Sequence, residues 1–301
     1  MTEFLQQLIN GLAFGSILAL IALGYTMVYG ILRFINFAHG DIFMLGAFAG
    51  FYLAPKIAVV IPLPSIAGAI AVLFLAMLIC AALGVVIERL AYRPLRKRPK
   101  LTVLITAIGV SLFLEYAGQF CFGAAPKRFP DILPGLPITK IGGLSLNSNQ
   151  LIVLAVTLIL LLALRFIVMK TRIGTAMRAV SFNPEAAALM GVNTDIIISF
   201  TFALGSALAA AAGILWAVNY PSIDPLMGIL PGLKAFVAAV LGGIGNLPGA
   251  ALGGLIIGVV ETFVKGTRWS TCADAIAFAV LILILLVKPS GLLGKKEIEK
   301  V

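Results

Sequence analysis

"RFINFAHGDIF", residues 33–43, decides how the rest of the chain is read. It holds the one histidine of the sequence, His39, beside Gly40 and between Asn36 and Asp41. Apolar sequence runs up to it on both sides. A stretch that greasy has no use for four polar or flexible residues unless a helix breaks there, and the reason for the break depends on what surrounds it.

The surroundings are those of a membrane protein. Hydrophobic residues make up 61% of the 301 and charged residues 11%, against about 25% charged in a soluble protein. The mean hydropathy is +1.12. The formal charge of +10 does not imply a nucleic-acid partner, because the basic residues lie in loops between apolar segments, where orientation signals belong. Cys80, Cys121 and Cys272 are scattered without metal-type spacing and read as small packing residues. "MTEFLQQ" has Glu3 and no Lys or Arg ahead of the first apolar run, so no cleavable signal peptide is expected. Chain length then fits one membrane domain over 1–301, all-α and polytopic, with roughly eight to ten helices at about 20 residues per span.

Working outward from the break, apolar segments fall near 4–31, 41–54, 66–87, 101–122, 150–168, 196–219, 230–245, 248–264 and 272–287. The count is eight or nine transmembrane or re-entrant segments. The second and the seventh are short. A helix of about 14 residues reaches only ~21 Å, less than the ~30 Å hydrocarbon core, which is how broken or re-entrant helices look. "ERLAYRPLRKRPK", 88–100, carries six basic residues and one acid and is expected on the cytoplasmic side. The same holds for the loop 169–195 and the tail "KPSGLLGKKEIEKV". Counting back puts the N-terminus outside and the C-terminus inside, with the loop 123–149 outside. A faint internal repeat is present: "INFAHGDIFMLGAF" (35–48) resembles "IGNLPGAALGGLII" (244–257), each with Gly five residues after its first Ile.

Catalysis is not expected. The sequence has no G-x-x-x-x-G-K-[ST] phosphate loop, and one histidine leaves no metal or acid–base cluster. The informative local stretch is "SFNPEAAALMGVN", 181–193. Asn183 can cap a helix start and Pro184 fits its first position. Glu185 complements the helix dipole, Ala186 and Ala187 favour helix, and Gly191 supplies a stop. The result is a two-turn helix: either an ordinary loop helix on the membrane surface, or a knob on which a cytoplasmic partner docks.

Glu185-Ala186-Ala187 followed by Gly191 resembles the first half of the EAA motif of ABC-importer permeases; the later Leu-Pro of that motif is absent near Thr201. "GYTMVYGILRFINFAHGDIFMLGAF", "ERLAYRPLR", "LITAIGVSLFL", "GLKAFVAAVLGGIGNLPGAALGGLIIG" and "KPSGLLG" are similar, in order and over nearly the whole chain, to LivH-type permeases for branched-chain amino acids. The resemblance implies a bacterial inner-membrane subunit paired with a homologous, LivM-like permease. Two ATPase subunits holding ATP and Mg would sit beneath, and a substrate-binding protein would deliver leucine, isoleucine or valine from outside. Related importers carry urea or short amides. A gradient-driven secondary transporter or channel is the rival, and it leaves the helix after Asn183 without a job.

On that reading Asn36, His39, Gly40 and Asp41 form a break lining the translocation path, with Asn246 and Gly249 as the matching break in the second half. The other reading stays open: Asn36 and Asp41 merely cap helix ends, with His39 at the cytoplasmic interface. Glu115, Glu261 and Arg165 are expected near segment ends, within reach of the interface. Lys234, early in a short segment, is expected in an ion pair that holds the bundle. Gly249–Gly253 and Gly254–Gly258 are G-x-x-x-G pairs for close helix packing, within the subunit or at the seam between permeases.

Overall fold

A computed structural model describes residues 2–96, 98–135, 139–141, 144–288 and 290–294 of the chain. Lys97 of the basic run, 136–138 and 142–143 of the long loop, and 295–301 of the tail lie outside the described residues.

The first helix, α1 (Thr2–Leu32), is apolar on every side, and a helix without a polar stripe is a buried one. Every residue from Ala13 to Val28 is buried. Around this axis stand α2 (His39–Ala58), α8 (Thr194–Asn219), α9 (Ile229–Gly242) and α10 (Leu247–Lys265). An outer set, α3 (Ile66–Ile87), α4 (Lys100–Phe122), α5 (Ser148–Lys170) and α11 (Ala273–Val287), turns large apolar side chains outward, among them Phe74, Phe113, Phe120, Ile159 and Leu286. A hydrocarbon surround makes such a surface cheap to expose. Eight helices among the described residues are long and apolar enough to cross a membrane, and α9 is a shorter ninth.

The second segment needs a correction. Counting the apolar run stops it near residue 54, but α2 continues through Pro55 and Lys56 to Ala58, for 20 residues. That is about 30 Å, a full span. The seventh segment is short as expected. Its helix, α9, has 14 residues and is preceded by a connection from 220 to 228 that is irregular apart from Ser222–Ile223. Two small antiparallel pairs complete the fold: β1 (Lys127–Arg128) with β4 (Ser222–Ile223), and β2 (Thr139–Ile141) with β3 (Leu144–Leu146).

The regions read as one-sided by charge do meet at one end of the bundle. After α3 the chain makes a π-helical turn at Glu88–Tyr92 and a 3-10 turn at Arg93–Leu95. Arg93 and Arg96 pair with Asp195 at the start of α8. Ser181, in α6 (Arg172–Phe182), donates to the Gly30 carbonyl at the end of α1 at 2.5 Å. From the tail, Leu292 and Leu293 donate to the carbonyls of Leu241 and Gly242 that close α9. The opposite end carries the start of α1, where Gln6 bonds the Ser145 main chain.

Candidate functional site

Arg33 ends α1 in the left-handed region, at φ 53°, and its N–H donates back to the Tyr29 carbonyl at 2.8 Å. A bulky residue in that conformation costs on the order of 1 kcal/mol. The turn sends the chain back alongside α1. By His39 it has returned to the level of Gly24, where the imidazole occupies the place a Cβ of Gly24 would take. Gly24 lies eight residues before Leu32, so α2 starts roughly 12 Å inside the end of α1.

The reading of Asn36, His39 and Asp41 as surface punctuation does not describe their surroundings. The side chain of Asn36 caps nothing; its Oδ1 accepts from the Tyr92 hydroxyl at 2.5 Å, and both residues are buried. His39 is buried against Tyr25, edge to ring, with centroids 4.8 Å apart. Asp41 Oδ2 accepts from Ser111 Oγ of α4 at 2.5 Å. The start of α2 has no side-chain cap.

Gly40 and Asp41 open onto a cleft of about 190 Å³. Phe37 shares their wall. Opposite stand Ile108, Ser111, Leu112 and Glu115 of α4, and Gly228, Ile229, Gly232 and Leu233 at the start of α9, with Tyr25 behind. The cleft exists because two helix starts touch through glycines. A Cβ on Gly40 would lie 2.7 Å from the Gly228 carbonyl oxygen and 3.2 Å from Gly232 Cα. Glu115, expected near the interface, lies mid-helix and faces this cleft. Asn36 and His39 stand behind it, holding the break.

Asn246 and Gly249 lie elsewhere. Asn246 caps α10, accepting from Gly249 N at 3.2 Å, and its amide donates to the Leu293 carbonyl at 2.7 Å. The two glycine pairs divide between two neighbours. Gly254 and Gly258 meet the backbone of α1 at Ala19 and Gly15, whereas Gly249 and Gly253 meet α9 at Gly242 and Ala238. Both contacts are internal to the subunit.

Lys234, buried, is 2.7 Å from Glu261 and 2.6 Å from Asp274, and Lys265 reaches Glu261 at 2.6 Å. Glu261 is fully buried rather than interfacial, and its partners come from α9 and its own helix, while Asp274 at the start of α11 pairs with Lys234. Arg165 is exposed on α5, five residues before its end, where it can snorkel. Of the cysteines only Cys80 is a buried packing residue; Cys121 and Cys272 are exposed.

In the loop 169–195, α7 (Pro184–Leu189) is fixed at both ends. Asn183 Oδ1 accepts from Ala186 N at 3.0 Å. Gly191, at φ +85°, donates to the Ala188 carbonyl and Val192 to that of Ala187, both at 3.0 Å, which is a Schellman stop. Glu185 and Ala186 are exposed, and Ala187 packs inward. The flanking side chains Phe182, Leu189 and Met190 are between 85% and 90% exposed. Sequence reading passed over these three. Their signal was large apolar residues outside any span. It also passed over Tyr92, set in a basic run, and Ser111, ordinary in an apolar helix.

Comparison with known proteins agrees with this architecture. Residues 7–285 match the family described as branched-chain amino acid transport system / permease component. The high-affinity branched-chain amino acid transport permease BraD of Pseudomonas aeruginosa is 43% identical, covering 99% of this chain and 98% of its own. The LivH permeases of Salmonella typhimurium and Escherichia coli K12 are each 42% identical with the same coverage. The chain is thus a multi-pass membrane permease and belongs to the branched-chain amino acid transport permease family.

Proposed function

We propose that this chain is the membrane subunit of a bacterial ABC importer for branched-chain amino acids, and that it provides path and lever while partner subunits hydrolyse ATP. One observation carries the lever: α7, capped by Asn183 and stopped at Gly191, presents Phe182, Leu189 and Met190 where no span can cover them. An exposed apolar patch of that kind asks for a protein partner. An ATPase subunit, itself holding ATP and Mg, suits it. A gradient-driven transporter has no use for it.

The rest follows from the same reading. The end carrying α6, α7, the basic turn and the tail is cytoplasmic, so the N-terminus is outside and the C-terminus inside. A LivM-like second permease completes the membrane pair, and a binding protein feeds it from outside the inner membrane. The path runs by the cleft at Gly40 and Asp41. Asn36 and His39 support its wall, and Asn246 and Gly249 hold α10 at the cytoplasmic end. Asp195 pairs with Arg93 and Arg96, Arg96 pairs with Glu88, and Tyr92, on the same π-helical turn as Glu88, bonds Asn36, so this turn connects the neighbourhood of α7 to that wall.

The test is Glu185→Lys, which reverses the charge at the exposed start of α7 without touching its caps. Co-purification of the ATPase subunits and binding-protein-stimulated hydrolysis should both fall, by about tenfold for the loss of one charged contact at a docked surface. Unchanged docking and hydrolysis would remove α7 from the interface.

A further inference from the structure

The cleft has a chemical polarity that its membership of a path does not require. Asp41 is 97% buried by its exposure of 3%, yet among the described residues no Lys, Arg or His lies within ion-pair distance of it. Ser111 is its one side-chain partner, at 2.5 Å. Glu115 follows Ser111 by one helical turn and faces the same cleft. Among the described residues no basic side chain lines the cavity. Elsewhere in this membrane domain a buried acid is paired: Glu261 with Lys234 and Lys265, Glu88 with Arg96. Intramembrane acids without a partner mark substrate or ion pathways. An acid in the first turn of a helix also complements the helix dipole, but that role calls for one carboxylate, not for a second from another helix beside an open cavity.

The other wall is of opposite character. The start of α9 has no side-chain cap, whereas α3, α5, α6, α7, α8 and α10 each have one. Its first turn lines the cleft at Gly228, Ile229 and Gly232. Ile229 N–H donates to the Leu226 carbonyl and Gly232 N–H to that of Gly228, and Pro231 has no N–H. The Gly228 N–H and the positive end of the helix dipole are what this start offers an anion, as broken membrane helices offer theirs to carboxylates. Between the two walls lie Phe37, Leu112 and Leu233, apolar and open on one side. The space exceeds the ~150 Å³ that holds benzene in an engineered cavity.

We propose that this cleft is a transient subsite for a zwitterionic apolar amino acid, in which Asp41, backed by Glu115, receives the ammonium and the first turn of α9 receives the carboxylate. This rests on the importer reading above. It adds which end of the substrate faces which helix, and it predicts that the path selects for the amine.

The experiment uses the complete complex, with its partner permease, ATPases and binding protein, in proteoliposomes. Asp41→Asn keeps the shape and the acceptor for Ser111 and loses the charge. Leucine uptake per assembled complex should fall at least about tenfold, the scale of one charge-assisted contact, while hydrolysis stimulated by the loaded binding protein persists. Asp41→Glu should restore part of the uptake. Glu115→Gln, isosteric at a partly buried position, should reduce uptake about threefold, on the scale of a partly solvated charge. Full uptake by assembled Asp41→Asn overturns the subsite. Should that variant fail to assemble, Glu115→Gln decides, and unchanged uptake there overturns it equally. Failure of the unaltered complex to carry any amino acid is a different result, and it would fell the importer reading instead.

Discussion

The turn before α2 and the turn before α10 start from similar sequences and end as different structures. Gly40 and Gly249, each five residues after an Ile, both rest on α9, Gly40 at its start and Gly249 at its end. There the likeness stops. The second turn uses glycine where the backbone is left-handed, at Gly243 and Gly245, and Asn246 closes the helix start with its own side chain. The first puts Arg33 in that conformation, leaves α2 uncapped, and begins the helix well inside the end of α1. One turn is a sealed joint at the end of the bundle, and the other is an opened one within it. A side-chain cap takes up one of the four free amides of a helix start, and the second turn has such a cap where the first has none.

Both turns depend on α9, so the largest effect should come from freeing it. Lys234→Met removes the cation that ties α9 to α10 and α11. Breaking a buried pair costs about 3–5 kcal/mol, and the lower end applies because Lys265 still reaches Glu261. Thermal melting of the purified complex should show the loss, and both turns should become more accessible to hydrogen exchange. A melt unchanged from that of the unaltered protein would mean that α9 is held by glycine packing alone.

A smaller effect should separate the two turns. Asn36 is tied to the buried Tyr92 side chain, whereas the long-range tie of Asn246 at the second turn is to the main-chain carbonyl of Leu293. Asn36→Ala leaves a buried hydroxyl without its acceptor, at about 1–3 kcal/mol. Tyr92→Phe removes the other partner. In a double-mutant cycle the two should couple by about 1 kcal/mol, as contacting residues do. Additive losses would show the contact to be incidental to the break.

What the sequence showed and what it hid differ in range. Asn183 and Gly191 act on atoms within a few residues, so their caps were legible from spacing, whereas Asn246, which caps α10, was read as part of a break on the path. The partner of Asn36 is 56 residues away, on a π-helical turn inside a run that charge alone had explained as an orientation signal. Glu115 looked like a segment-end residue because linear position does not show which face of α4 turns to the cleft. The G-x-x-x-G pairs announced close packing without naming partners, and the structure gives each pair a different helix. The length of α2 was misjudged at Pro55 and Lys56, since a proline near a helix end is tolerated where the carbonyl it orphans has other partners.

The smallest effect belongs to the sealed joint. Asn246→Ala removes the cap of α10 and the tie to Leu293. Losing a cap of this type costs typically about 1 kcal/mol, and the tie to the tail adds little because Leu292 and Leu293 keep their own bonds to α9. The melting temperature should fall by a few degrees at most, since 1 kcal/mol shifts a domain above 150 residues by roughly 2–4 °C. Uptake per assembled complex should stay near normal, because no atom of Asn246 faces the cleft. Asp41→Asn should show the opposite pattern, with little change in melting and a large loss of uptake. If Asn246→Ala instead lost uptake while melting normally, the second turn would belong to the path as the first does, and the distinction drawn from their caps would fail.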